Sequence, residues 1–300
     1  KEIFFSEGSY FVIEPNWLIN VSALMDYDFC DRKFFNNRFE LKKPNASMTK
    51  GSIVHEIFED ILKGKERDEI IDAWKDSVTK RALNLSILDE PLDEMRSFTL
   101  QHVNTITNEK NNHPLLKNND GVHTEKFIIN TDLGLKGKID AIIKATDENG
   151  DFNKAIELKT GKSDRFSGGA KKGHKFQVIA YSLLMKMKNG NRQETPSVMY
   201  SGDIVNNEQL ITKDVSINYN AYANIINLRN KLVLADYTFS ADYEKRNIKK
   251  CNPCLKYQPI CMDIFHLEKK RNENNVPAFF SEKTNRNEWL TEVQEIRYTD

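Results

Sequence analysis

The sequence predicts an α/β fold in which a mixed central sheet is flanked by helices. Apolar residues follow a helical period from about residue 22 to residue 109, and the period becomes strand-like after residue 124. A strand, a helix and a strand then succeed one another between residues 155 and 201, and such a crossover joins parallel strands of one sheet. With 300 residues, the chain can form one large domain or two small ones.

Four helices are expected before the sheet. The first runs over about residues 22–39, with Ser22 as its candidate N-cap and Cys30 within it. The second runs over about residues 48–63 and has a continuous apolar stripe. Two more amphipathic helices are expected within residues 67–109.

The strand region begins with a hairpin. Residues 124–130 and 133–145 are predicted to pair around a turn at Thr131 and Asp132. The segment 147–151 is a strong turn signal that leads to a third strand. The later elements are a helix at 174–188, strands at 197–201 and 209–215, and a helix at 221–236.

Charged residues on two neighbouring strands form a candidate metal site. Glu157 and Lys159 lie two residues apart, so a strand directs both side chains to one face. Asp140 stands among apolar residues, where an unpaired charge is costly. Phosphodiester hydrolysis needs an activated water and a neutralised phosphate, and carboxylate-bound Mg²⁺ supplies both. The alternative for Glu157 and Lys159 is an ordinary surface salt bridge.

Polar residues on two helices extend this candidate site. His55 can join a metal shell as a neutral imidazole, with Glu59 as the acceptor for its other ring nitrogen. The alternative is a structural histidine at the edge of a helix stripe. Gln177 and Tyr181 lie one helical turn apart and can donate to a phosphate, or can simply form the polar edge of their helix.

Four motifs occur in a characteristic order along residues 22–262. They are Gly51-x-x-x-His55-x-x-x-Glu59, Gly137-x-Ile139-Asp140, Glu157-x-Lys159-Thr160-Gly161-Lys162 and Gln177-x-x-x-Tyr181. This order resembles the RecB-like branch of the PD-(D/E)XK nucleases. The resemblance implies a restriction-endonuclease-like fold and a DNA nuclease that depends on Mg²⁺ or Mn²⁺.

The same resemblance implies a role for each matching residue. Lys159 would assist the attacking water, and Gln177 and Tyr181 would position the substrate strand. The metal ligands that it implies are His55, Asp140, Glu157 and the backbone carbonyl of Leu158.

The cysteines indicate a second metal centre. In an intracellular protein, four cysteines favour metal ligation over disulfides, and four thiolates can hold either zinc or an iron–sulfur cluster. One N-terminal and three C-terminal cysteines resemble the iron–sulfur subset of the family. That resemblance implies a 4Fe–4S cluster that joins the C-terminal segment to the first helix, with zinc as the alternative. The four residues are Cys30, Cys251, Cys254 and Cys261.

Four segments are expected from these patterns. Residues 1–21 form an N-terminal extension, 22–120 a helical part, 121–240 the nuclease core, and 241–300 the iron–sulfur segment and tail. No apolar run approaches the roughly 18 residues that span a membrane, and the first residues lack a signal-peptide pattern. We therefore expect a cytoplasmic protein without a membrane partner. Its first residue is Lys, which suggests a piece of a longer chain.

Binding to a nucleic acid has to come from a local patch, because 44 basic and 44 acidic residues leave no net charge. The basic loop at 163–173 and its flanks offer Lys162, Arg165 and His174, and Phe166 can stack on unpaired bases. Gly161-Lys162-Ser163 is no nucleoside-triphosphate loop, since Ile156 stands where that motif needs Gly.

The resemblance implies single-stranded DNA as the substrate. It also implies a helicase partner or a fused helicase, in DNA repair, recombination or defence. The competing class is a non-catalytic iron–sulfur module that binds or scaffolds nucleic acid.

Overall fold

A computed structural model describes most of the chain up to residue 237. The described residues are 9–30, 33–35, 37, 45–88, 91–110, 112–117, 121–189, 192–202 and 210–237. Three of the four cysteines, Cys251, Cys254 and Cys261, lie outside these ranges.

The described elements follow the predicted order of helices first and a sheet afterwards. The helices are α1 (Val21–Phe29), α2 (Ala46–Leu62), α3 (Arg67–Lys80), α4 (Ala82–Ser86), α5 (Leu92–Lys110), α6 (Pro114–Lys117), α7 (Lys172–Asn189) and α8 (Tyr219–Tyr237). The strands are β1 (Ile19–Asn20), β2 (Gly121–Asn130), β3 (Leu135–Asp147), β4 (Gly150–Lys159), β5 (Arg192–Gln193), β6 (Ser197–Tyr200) and β7 (Ile211–Asp214).

All seven strands belong to one mixed sheet. Strands β2, β3 and β4 are antiparallel neighbours, β4 and β6 are parallel, and β6 and β7 are antiparallel. The short strands β1 and β5 run parallel to β3 and β4. Helix α7 joins the parallel pair β4 and β6, so the predicted crossover is confirmed.

The predicted hairpin is also confirmed. Strands β2 and β3 pair from Gly121–Lys144 to Asn130–Leu135, which leaves residues 131–134 as the turn. Gly134 has a φ of 60°, in the region where side chains are strained. A Cβ there would overlap the guanidinium of Arg229, so the turn requires glycine on two grounds.

Helices cover both faces of the sheet. On one face, Ile156 and Leu158 pack into a core with residues of α2, α3 and α5, including Ile53, Ile57 and Ile70. On the other face, Val178 of α7 packs with residues of β6, including Val198 and Tyr200. This arrangement is consistent with the restriction-endonuclease-like fold that the motifs predict.

Two helix ends differ from the prediction. The side chain of Asn20 accepts a hydrogen bond from the Ser22 backbone N–H at 3.1 Å, so Asn20 caps α1 and the prediction of Ser22 as the cap is wrong. Helix α1 ends at Phe29, and Cys30 directly follows it instead of lying within it. Helix α2 is capped by Asn45, whose side chain accepts from Met48 N–H at 2.8 Å.

A buried arginine fastens the N-terminal segment to the sheet. Arg229 of α8 is fully buried and donates to the carbonyls of Ile13, Glu14 and Trp17. Its Nε also donates to the carbonyl of Gly134 at 3.4 Å. One side chain therefore satisfies carbonyls from two chain segments that are far apart in the sequence.

The chain divides into two compact units. The first consists of residues 1–25 and 43–231, and the second of 26–42 and 232–300. In the second unit, Asp26 pairs with Lys33 at 2.5 Å and accepts a hydrogen bond from Asn37 at 2.8 Å. Among the helices described above, none is long and apolar enough to cross a membrane.

Candidate functional site

The candidate site lies where β3 and β4 separate. Their ladder ends at the pair Ala141–Ile156, one residue short of Asp140 and Glu157. Beyond that pair, the backbone N–H of Leu158 donates to Asp140 Oδ2 at 2.8 Å. The side chain of Asp140 thus replaces a ladder bond, and this bond fixes its carboxylate beside the end of β4.

Glu157 is the most deeply buried acid of the site, with 3% of its surface exposed. Its Oε1 accepts from Lys159 Nζ and from Gln177 Nε2, both at 2.6 Å. Its Oε2 is buried and has no hydrogen-bond partner among the described residues. Burial, and then the negative charge of Asp140, raise the pKa of Glu157 to about 8.

These properties of Glu157 fit a divalent cation. A buried carboxylate oxygen without a partner is costly, and a metal ion would satisfy it. The cation would also hold Glu157 in its ionised form, since an adjacent positive charge lowers a carboxyl pKa.

His55 of α2 reaches the same carboxylate cluster. Its Nδ1 lies 3.2 Å from Asp140 Oδ1. Burial opposes protonation of the ring, but the hydrogen bond to Asp140 and the charges of Asp140 and Glu157 outweigh it and raise the pKa of His55. Glu59 does not hold His55 as predicted, because it pairs with Lys63 at 2.6 Å and accepts from Thr124 at 3.2 Å.

Gln177 and Tyr181 lie on the face of α7 that covers the site. Both are buried, and Gln177 Nε2 donates to the Tyr181 hydroxyl at 3.1 Å as well as to Glu157. Burial and the charge of Glu157 raise the pKa of Tyr181, so its hydroxyl keeps its proton. A Cβ at Gly137 would lie 2.7 Å from the Tyr181 ring, which explains the glycine of the second motif.

Contacts from outside the motifs hold the end of β4. The backbone N–H of Ser201 donates to the Lys159 carbonyl at 3.0 Å, and Ser201 Oγ lies 2.9 Å from His102 Nδ1. A Cβ at Gly202 would overlap the Thr160 carbonyl. Ser201, Gly202 and His102 were missed from the sequence, since nothing in their local pattern marks them.

The loop between β4 and α7 carries the predicted strand-binding residues. Lys162 and Arg165 are exposed, and the Phe166 side chain is fully exposed. Asp164 orders the loop by accepting from the Phe166 backbone N–H at 3.1 Å and from Ser167 Oγ at 2.7 Å.

His174 does not contribute the positive charge predicted for it. Its Nδ1 lies 2.8 Å from the Tyr200 hydroxyl. Burial and the charges of Lys159 and Lys171 lower its pKa to about 4, so the ring is neutral near pH 7.

Glu125 of β2 is an acid that the motifs do not include. Ligand atoms of His55, Glu125 and Asp140 all lie within 4.8 Å of one another. Glu125 also forms an ion pair with Lys138. The hairpin register could have found this residue, because counting back from the turn at 131–134 places residue 125 opposite residue 140.

The structure therefore brings together six of the predicted site residues and leaves Lys162 and Arg165 on the adjoining loop. An imidazole with several carboxylate oxygens is a donor set that suits Mg²⁺ or Mn²⁺. The six residues are His55, Asp140, Glu157, Lys159, Gln177 and Tyr181.

Comparison with known proteins gives a family match over most of the chain. The model of the PD-(D/E)XK nuclease superfamily matches residues 19–262. No curated protein matches the chain. A solved structure titled "Crystal structure of SSO0001" is 14% identical, covers 71% of this chain and 85% of that chain, and has a TM-score of 0.26. A likeness at this TM-score has no weight for fold or function.

Proposed function

The chain belongs to the PD-(D/E)XK nuclease superfamily, and we propose that it is a metal-dependent DNA nuclease of the RecB-like, iron–sulfur branch that cleaves single-stranded DNA. The observation that carries the proposal is the arrangement around Glu157. Its Oε1 accepts hydrogen bonds from Lys159 and Gln177, whereas its buried Oε2 has no partner in the part of the chain that the structure describes. The charges of Asp140 and His55 act on the same carboxylate.

We assign the cation to four ligands of the first unit. When bound, Mg²⁺ or Mn²⁺ supplies an activated water and neutralises charge on the scissile phosphate. The unpartnered oxygen of Glu157 and the approach of His55 to Asp140 support the assignment. The four ligands are His55, Asp140, Glu157 and the carbonyl of Leu158.

The remaining site residues would orient the attacking water, offset charge on the phosphate and position the substrate strand. The Lys159 ammonium lies beside Glu157, where it can orient the attacking water and offset charge that develops on the phosphate. Gln177 fixes the Glu157 carboxylate by its hydrogen bond, and the protonated Tyr181 hydroxyl remains a donor. Together, Gln177 and Tyr181 would position the strand.

The loop after β4 supports a preference for single strands. Phe166 is a fully exposed aromatic ring that follows Arg165 in the sequence. Unpaired bases stack on such rings with little regard to sequence, whereas paired bases are already stacked. Lys162 and Arg165 would bind the phosphates. This local positive charge would attract DNA although the chain as a whole has no net charge.

Digestion of labelled DNA tests the function. With Mg²⁺ or Mn²⁺, we expect cleavage of end-labelled single strands, weaker cleavage of duplex, and none after chelation with EDTA. A circular single strand in parallel separates endonuclease from exonuclease action. Asp140→Asn should be inactive, while Asp132→Asn, at an exposed turn position, should behave as the wild type. Binding of single strands without cleavage in either metal would instead indicate the scaffolding class.

The iron–sulfur cluster is a separate part of the proposal. We assign it to Cys30, Cys251, Cys254 and Cys261, with zinc as the alternative. Such a centre would close a loop of about 220 residues and constrain the unfolded chain. An anaerobic preparation should be brown, with broad visible absorbance and about four iron and four sulfide per chain, as a 4Fe–4S cluster requires. A colourless protein with stoichiometric zinc would overturn the cluster.

The division of the chain into segments is a further part of the proposal. We propose an N-terminal extension at 1–21, a helical part at 22–120, a nuclease core at 121–240 and an iron–sulfur segment at 241–300. We further propose that the protein works in the cytoplasm with a bound or fused helicase, which would supply the single strand.

A further inference from the structure

We propose that Glu125 is a further ligand of the divalent cation, on the side of Asp140 opposite to Glu157. This inference rests on the proposed function, because the cation is the one assigned to His55 and Asp140. It adds a residue that none of the four motifs contains.

The sheet register places three carboxylates in one row. The pairs Thr124–Ala141 and Lys126–Ile139 flank Glu125 and set it opposite Asp140 across β2 and β3. On the other side of Asp140, Glu157 directly follows the last ladder pair of β3 and β4. Side chains opposite each other on neighbouring strands lie on one face and about 5 Å apart. By this register, Glu125 and Glu157 stand opposite Asp140 on its two neighbouring strands.

His55 of helix α2 lies beside Glu125 and Asp140. Its ligand nitrogen and the carboxylate oxygens of Glu125 and Asp140 lie within 4.8 Å of one another. Two acids and an imidazole at this spacing surround a volume that one cation can fill. The buried and unpartnered Oε2 of Glu157 independently indicates that a positive group belongs beside the row.

The backbone of Glu125 points to the same conclusion. Its φ of 51° lies in the left-handed region, which is unfavourable for a glutamate within a strand. The ladder of β2 and β3 omits this residue while it pairs both neighbours. Strain of this kind persists where a functional constraint holds a side chain in place.

Lys138 gives the discriminating control. It is exposed, lies on β3 and forms an ion pair with Glu125. If Glu125 served only to hold Lys138, loss of either partner would have the same effect. If Glu125 binds the cation, only its own loss removes a ligand, since the carboxylate has a second oxygen.

Calorimetric titration of the whole chain with Mn²⁺ tests the proposal. We expect Glu125→Gln to weaken Mn²⁺ binding tenfold or more, and Lys138→Gln to stay within about threefold of the wild type. Glu148→Gln, at an exposed turn, is the matched carboxylate control. Glu125→Asn is the second variant, because asparagine tolerates a positive φ and should keep the fold while binding Mn²⁺ equally weakly.

Three outcomes separate this inference from the proposed function. Wild-type affinity in both Glu125 variants, with Asp140→Asn unable to bind, would overturn the role of Glu125 and leave the nuclease site standing. Equal losses in Glu125→Gln and Lys138→Gln would also overturn it, in favour of the ion pair. A wild-type chain that binds no Mn²⁺ would overturn the proposed function itself.

Discussion

We expect replacement of Lys159 with methionine to lower the rate of DNA cleavage by about 10²–10⁴ at saturating Mn²⁺. Methionine keeps the aliphatic part of the side chain and removes only the ammonium group. That group lies 2.6 Å from Glu157 Oε1, beside the site assigned to the cation. Single-turnover cleavage of an end-labelled single strand measures the change, and calorimetry with Mn²⁺ shows that the metal still binds.

Lys144→Met is the matched control for this experiment. Lys144 is an exposed lysine near the far end of β3, so its loss should leave the cleavage rate unchanged. Cleavage by Lys159→Met at the wild-type rate would contradict the role assigned to Lys159. A loss of thermal stability in Lys159→Met would point to a structural cause, and circular dichroism measures it.

Replacing Arg229 with methionine should lower the free energy of unfolding by about 3–5 kcal/mol. The substitution removes the donor to the part-buried carbonyls of Ile13 and Trp17. It also removes the hydrogen bonds from Arg229 to the carbonyls of Glu14 and Gly134. Arg229→Lys should lower the free energy of unfolding less than Arg229→Met, because an ammonium keeps the charge. It should still lower it, because an ammonium cannot span the same carbonyls. Urea denaturation followed by circular dichroism gives the midpoints.

The control for this substitution is Arg192→Met. Arg192 pairs with Asp147 and Glu194 at the surface, where an ion pair contributes little. We expect a much smaller shift of its urea midpoint than for Arg229→Met. Equal midpoints for the wild type and Arg229→Met would show that the N-terminal segment does not depend on this side chain.

Local patterns predicted most of the sheet and of the site. The alternation around Leu158 placed Glu157 and Lys159 on one face, because the period of a strand is a property of the backbone. The hairpin of β2 and β3 was predictable for the same reason, since its turn fixes the register. The spacing of Gln177 and Tyr181 allowed either a phosphate contact or a polar helix edge, and the family resemblance of the four ordered motifs implied their role.

Contacts between distant segments were not predictable. Ser201 holds the carbonyl of Lys159 across a gap of 42 residues, and His102 lies 99 residues from Ser201. No single-sequence pattern encodes such pairs, since they depend on how finished elements pack. Glu125 is an intermediate case, because its partner follows from the hairpin register but its left-handed backbone does not.

The contacts between Arg229 and the N-terminal segment can form only late in translation. Ile13 leaves the ribosome 216 residues before the guanidinium that binds its carbonyl. During that interval, the nascent chain has produced every residue of the proposed metal site, while its first segment still lacks its partner. A nascent chain that stops before α8 therefore holds every residue of the proposed site, but its N-terminal segment lacks the contacts that Arg229 makes with Ile13, Glu14 and Trp17.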